Sequence, residues 1–519
     1  MLARIGLGAV LGWILCAAPT ALADWSAPRL LTGCAIASSQ APPLVVFPSS
    51  QPQVRSGSGA LLWTGPVACA GSSDGGTAST AAQREALAAR LGPSGLPGPG
   101  RALNAGADGP VEIAAVAGTA LGQVIALGDG LLAEGNVPGT FAAPLALDGP
   151  ATPVTVASGY LGDTAVVSTR RERHSKWALA LRVQRHYSST PAAPRLLAVG
   201  STRPRALAVA MDYRSDVLVA WATPAAIYAR EVAAGGSVGA VERVGPGAGV
   251  SELRALISDD GRAILAWRVQ TLARGGLAVT SIESSISGPG MAFARSATVE
   301  SFTDLPALAP PPGSLRLTRL SSEAVMMVWT GMRVGRYVVR ASPVSLRRGV
   351  WAPVTISPRG RQALLADLIA GPRAEVLALW TTAPRLRDGT LDPRHRAILA
   401  AWGHYGGRGE ARFAATEALA APGPNGVPAA AFDPQSDRVL AAWTVGLQTP
   451  RIVYALRAAG PPPGVAVRGA RERGGGARAA RGHTTRDALL PGLGLLLLAG
   501  AAAWHQRGGH RRAARPRRA

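Results

Sequence analysis

The chain has 519 residues, 47% of them hydrophobic, with 63 glycines, 41 prolines, three cysteines and a formal charge of +23. All but one of its 54 basic side chains are arginine, Lys176 being the exception; twelve of them fall from Gly464 onward, and the remainder are spread thinly with no aromatic interleaving. That distribution excludes a nucleic-acid groove, which needs clustered cations and stacking side chains, and the apolar content is ample for a large core.

Residues 1–23 read as a signal peptide: Arg4, an apolar run from Ile5 to Ala18, and the small-x-small site Ala21-Leu22-Ala23. The exported body, 24–460, then begins at Asp24. Leu31-Thr32-Gly33-Cys34 resembles a bacterial lipobox, but Asp24 and Arg29 separate it from the apolar run, so lipidation is not expected. Once Cys16 leaves with the signal, Cys34 and Cys69 remain in an exported chain and are expected to form a disulfide. It would close a loop of about 35 residues and add about 3–4 kcal/mol.

Next come copies of one pattern: an apolar strand, a polar turn, then an apolar strand ending in tryptophan. Weak copies are SGSGALLW (to Trp63), VEIAAVAGTALGQVIAL (111–127) and VTVASGYLGDTAVV (154–167). Five strong ones end at Trp221, Trp267, Trp329, Trp380 and Trp443, with spacings of 46, 62, 51 and 63. The turns, such as Ser215-Asp216 and Asp259-Asp260-Gly261, hold residues that tolerate tight hairpin geometry. The second strands, such as Val217-Leu218-Val219-Ala220-Trp221, are apolar without alternation and so buried on both faces. The tryptophans at their ends are expected in the core, not on a carbohydrate platform. A third strand follows each (AIYAREV, GLAVTSIES, RYVVRAS, RAILAAWGHY, RIVYALR), then a fourth (VGAVERVG, MAFARSATVE, GVWAPVTISP, EARFAATEAL). In the first repeat, Thr80-Ala81-Ala82-Gln83 has a capping-box pattern before an alanine-rich run, which predicts a short surface helix to Leu91, followed by a flexible loop, GPSGLPGPGRALNAG.

Four strands per roughly 50 residues resemble the blades of secreted bacterial β-propellers. The resemblance is architectural and covers about residues 25–460; it implies an all-β ring of seven or eight four-stranded blades. The last repeat has only three strands, and WSAPRLLTG (25–33) is similar to the fourth it lacks, so an N-terminal strand is expected to close the ring. Immunoglobulin-like sandwiches would repeat at about 100 residues and fit less well.

A Pro/Gly/Arg-rich linker spans 461–487, and 488–504 form an apolar segment ending at Trp504. Its seventeen residues span roughly 25 Å as a helix, near the lower limit for crossing a bilayer. It is expected to be a single transmembrane helix, with 505–519 a basic cytoplasmic tail. Six arginines on either side give no positive-inside bias, so the signal peptide sets the orientation. A sortase signal lacks its threonine at Leu490-Pro491-Gly492-Leu493-Gly494.

Motifs for chemistry are sparse. Ser258-Asp259-Asp260-Gly261 comes near a sialidase Asp-box but is a hairpin turn, and Gly71-Ser72-Ser73-Asp74-Gly75 fits a nucleophile elbow without the strand–helix scaffold. The seven histidines make no metal-binding spacing. No catalytic, cofactor-binding or metal residue is assigned. The expected function is a membrane-anchored binding module for a protein or glycan at the bacterial cell envelope. A hydrolase or lyase on envelope polysaccharide is the alternative, and it predicts acidic, Arg and Tyr side chains converging at one channel mouth. A purely structural assembly subunit is the third possibility.

Overall fold

The second strand of each strong repeat is the part of the chain that burial dictates most directly. In Val217–Ala222 every residue is buried, and Ala324–Arg333 is buried throughout except at Arg333. Continuous apolar runs of this kind suit a strand flanked on both faces by other sheets. The computed structural model describes residues 25–32, 43–47, 59–66, 84–102, 113–146 and 154–458, apart from short loops and single residues within these spans. Among them lie eight antiparallel sheets, six built from consecutive strands over 44–102, 115–146, 154–200, 206–246, 250–304 and 315–355, a seventh over 362–423, and an eighth over 429–458. They are numbered sheets 1 to 8 below.

The first strands touch one another in sequence. Ala206–Met211 of sheet 4 meets Val250–Ile257 of sheet 5, which meets Leu315–Arg319 of sheet 6, then Gln362–Ala370 of sheet 7 and Ala429–Asp433 of sheet 8; the last meets Leu44–Val46 of sheet 1. Apolar clusters fill the spaces between successive sheets. Each tryptophan at the end of a second strand packs toward the preceding sheet: Trp221 with sheet 3, Trp267 with sheet 4, Trp329 with sheet 5, Trp380 with sheet 6 and Trp443 with sheet 7. Trp63 of sheet 1 does the same toward sheet 8, beside Leu440, Ile452 and Tyr454. This is a propeller-type architecture, and the tryptophans are core residues as expected.

The fourth strand of sheet 8 comes from the N-terminus. Arg29 and Leu30 pair with Tyr454 and Val453, Trp25 bridges Arg457, and the Leu31 amide donates to the Ile452 carbonyl at 3.0 Å. The expected pairing of the N-terminal segment with the last repeat is therefore observed.

One expectation fails. The alanine-rich run expected as a helix to Leu91 is a strand, Arg84–Arg90, paired with Ala60–Pro66 so that Leu87 lies opposite Trp63. Alanine favours helices in isolation, but here Ala86, Leu87, Ala88 and Ala89 are all buried between sheets, where small side chains fit. Within the loop expected after it, Leu91 bridges Pro97 and Arg101–Ala102 pair with Leu87 and Ala88; 103–106 lie outside the described residues. Residues 1–24, Cys34, Cys69, the 71–75 motif, and everything after 458, including 488–504, lie outside the described residues. Among the described residues no helix is long and apolar enough to cross a membrane.

Strands alternate in direction within each sheet, so the turns from first to second and third to fourth strands share one face, called upper here. The turns from second to third strands, and the links to the next sheet, share the lower face.

Candidate functional site

The upper face gathers the polar hairpins. In sheet 4 the turn Asp212–Asp216 is shaped by its own aspartate: Asp212 Oδ1 accepts from the Arg214 and Asp216 amides, both at 2.9 Å. Those bonds hold Ser215 in the left-handed region, φ 68°, which a short polar side chain tolerates. Tyr213 is carried to the rim. In sheet 5, Gly261 at φ 78° turns the chain and the Ser258 hydroxyl donates to Asp260, leaving Asp259 directed at the neighbouring sheet. There Arg319, the last residue of the first strand of sheet 6, donates to Asp259 at 2.6 Å and to the Ile257 carbonyl at 2.7 Å.

These groups rim a cavity of about 520 Å³ on the upper face. Its walls are Ala157–Gly159, Ala210–Met211 and Ala255–Ile257, and its polar edge is Asp212, Tyr213, Asp259 and Arg319. Burial raises the Asp212 carboxyl above the ordinary carboxylate range, and the charges of Asp216 and Asp259 push the same way, against the two amides it accepts.

Behind the rim, Asp163 organises a second node. It accepts from the His186 amide and Nδ1, both at 2.8 Å, and from the Arg185 guanidinium. Burial would raise its carboxyl, but the bonds from His186 and Arg185 outweigh it and lower the pKa to about 2. Asp216 in turn accepts from the Ala234 amide at 2.7 Å, and Arg185 donates to the Ala234 carbonyl. The turns of sheets 3 and 4 are thus tied into one polar frame that holds the rim still.

Among the described residues three buried ion pairs lie away from this cavity, one within sheet 5 and two between sheets. Glu252 joins Arg268 and the Ser314 and Leu315 amides. Glu300 joins Arg340 and the Trp329 indole. Glu417 accepts from Arg457 Nε and Nη2, at 2.8 and 2.6 Å, and from the Trp25 indole at 3.0 Å. Each carboxylate binds a sheet to its neighbour, and the last pins the N-terminal strand. A wider cleft of about 820 Å³ opens between sheets 5 and 6, with Arg295, Arg347 and Trp351 among its lining.

The cavity can hold a polar ligand through a carboxyl pair, a phenol and a guanidinium already committed to Asp259. Among the described residues no group of His, Cys, Asp and Glu could hold a metal ion. The Ser258–Gly261 turn is a hairpin, as its sequence implied. Sequence reasoning did not find Asp163, His186, Asp212, Tyr213 or Arg319 as a set. With Asp259 they are drawn from four sheets, and the one usable signal was that every first-to-second turn must emerge on the same face.

No protein-family model matches the chain, and no curated protein sequence does. Solved structures resemble it only distantly. A protein of unknown function from Dyadobacter fermentans matches at 9% identity over 84% of this chain and all of its own, with a TM-score of 0.37. YCF48 bound to D1 peptide matches at 12% identity over 69% and 92%, with a TM-score of 0.36. The polysaccharide lyase Uly1 matches at 8% identity over 79% and 88%, with a TM-score of 0.38. Likeness at this distance assigns no activity.

Proposed function

We propose that the protein is a binding module whose ligand, a polar group of a protein or glycan of the bacterial cell envelope, enters the upper channel mouth. The observation that carries this reading is the convergence of Asp212, Tyr213, Asp259 and Arg319 around one open cavity, on hairpins braced from behind by Asp163. In this reading the eight sheets are the eight blades of the ring. The chain is exported by residues 1–23, stapled by a Cys34–Cys69 disulfide and tethered by 488–504 as a single-pass anchor, with the propeller outside the cytoplasm. The support for export and anchoring is the pattern of apolar runs and flanking charges at the two ends.

A second reading, a hydrolase or lyase on envelope polysaccharide, is favoured by one specific feature: an acid with a raised pKa, Asp212, beside a tyrosine and an arginine. Titrating the full chain against envelope glycans and peptides, while assaying for new reducing ends or unsaturated uronides, separates the two. Binding that weakens at least tenfold in Tyr213→Ala and Arg319→Ala, with no turnover, supports the module. Turnover that disappears in Asp212→Asn supports the enzyme. Binding and turnover both unaffected by all three substitutions overturn the site.

A further inference from the structure

The lower face differs from the upper in kind. The turns of the upper face mix Asp212, Asp216, Asp259 and Glu323 with arginines. Among the described residues the exposed charges of the lower face are mostly basic. Its exposed cations include Arg203 and Arg205 on the link between sheets 3 and 4, Arg333 and Arg336 in sheet 6, and Arg359 and Arg361 on the link between sheets 6 and 7. The carboxylates Glu172 and Asp392 on the same face are engaged by Arg170 and His395, each at 2.7 Å.

Among these cations the hairpins of sheets 5 to 8 each carry an exposed apolar residue. Leu272 in sheet 5 is 74% exposed and Val334 in sheet 6 is 100% exposed; Leu386 in sheet 7 and Leu447 in sheet 8 are exposed too. Val334 is the most telling. Arg333 pairs with Arg336, so Val334-Gly335 is a two-residue turn, and both have positive φ, 50° and 68°. That geometry prefers asparagine or glycine, and a β-branched residue in it is an outlier. Val334 therefore strains its turn and makes no packing contact in return. Among the described residues the other non-glycine positions at positive φ, Ser215, Ala374 and Asp437, are small or polar and lie on the upper face.

From this we infer that the lower face docks on an anionic lipid surface. The arginines meet the headgroups, and the tips, Val334 foremost, enter the boundary between headgroups and acyl chains. Isolated apolar summits set among cations suit a bilayer, which accepts each protrusion independently of the others. A protein partner would need a contiguous patch matched in shape. This docking does not depend on the segment 488–504 being an anchor.

The test uses the full chain with vesicles of phosphatidylcholine alone or mixed 3:1 with phosphatidylglycerol, read by amide hydrogen exchange. With the anionic lipid, exchange at 332–337 and 445–451 slows at least fivefold, 212–216 on the upper face is unchanged, and 0.5 M salt removes most of the difference. Arg336→Glu with Arg359→Glu abolishes the protection. Val334→Asn raises thermal stability, because asparagine suits the turn, yet cuts the protection by half or more. Protection that needs the anionic lipid supports docking whether or not the chain also binds the neutral vesicles. Association with both vesicle types and no difference at the tips overturns docking and leaves the anchor standing. Tips that stay open on anionic vesicles but close on an acidic protein assign the face to a protein instead. An unchanged response in Val334→Asn removes the tip from the mechanism.

Discussion

At the scale of single residues, the indoles separate packing from hydrogen bonding. Trp329 and Trp380 are both fully buried at the same place in their repeats, but only Trp329 has an acceptor for its Nε1 among the described residues, Glu300 at 2.7 Å. Trp→Phe removes similar apolar volume at each. At Trp329 it also strips a donor from a nearly buried carboxylate, so it should cost about 1 kcal/mol more there than at Trp380 in denaturant unfolding. Asp163 makes a prediction in pH. Its folded pKa, about 2, lies below the ordinary value of 3.8. The stability it contributes, on the order of 2 kcal/mol, is complete above about pH 4 and is lost as pH falls through about 2. The difference in stability between the parent and Asp163→Asn should therefore shrink between pH 4 and 2, as followed by thermal melts. Arg457→Met, which leaves Glu417 buried without its bidentate partner, should cost about 3–5 kcal/mol.

At the scale of elements, the strong repeats were legible and the first was not. Val217–Ala222 and Ala324–Arg333 are long apolar runs with β-branched residues and a terminal tryptophan, a pattern only a doubly covered strand satisfies. Arg84–Arg90 is poor in β-branched residues, and its alanines speak for a helix locally. Its pairing with Ala60–Pro66, some 25 residues earlier, overrides that preference. Ala89→Leu tests the point. On a surface helix it would be neutral; in a strand where Ala89 is fully buried it should cost about 1–3 kcal/mol by overpacking. The N-terminal strand has the reverse history. It is two residues long as a ladder, yet its phrase was recognisable because it matches the missing fourth strand. Leu31 fills the cluster between sheets 8 and 1 with Val45, Phe47 and Tyr454, so Leu31→Ala should cost about 2–4 kcal/mol in the same unfolding assay.

At the scale of the whole molecule, the contact between sheets 8 and 1 is where the two ends of the described chain share one core. Deleting 25–31 uncovers the edge at Arg451–Ala458 and removes Leu31 from that core. Amide exchange should therefore rise at 44–46 and 451–458 well before it rises at 263–272 in sheet 5. A uniform rise across all sheets would mean that the strand supports the fold without closing it. The separation of charge between faces also exists only at this scale. Along the chain, Arg203, Arg336 and Arg361 are scattered cations; the common direction of the first strands brings their loops to one side.

The amino-acid sequence by itself determined the all-β character, the four-strand repeat, the burial of the tryptophans and the N-terminal strand's place in the last sheet. All of these are written in local hydrophobic pattern and turn chemistry, which act over a few residues. Only the tertiary structure decided that an alanine-rich segment is a strand, that Asp212, Tyr213, Asp259 and Arg319 share one cavity, and that one face is mostly basic with exposed apolar residues. Those facts depend on which sheets become neighbours and which way their strands run, and contacts between residues dozens of positions apart leave no periodic trace in the order of the amino acids.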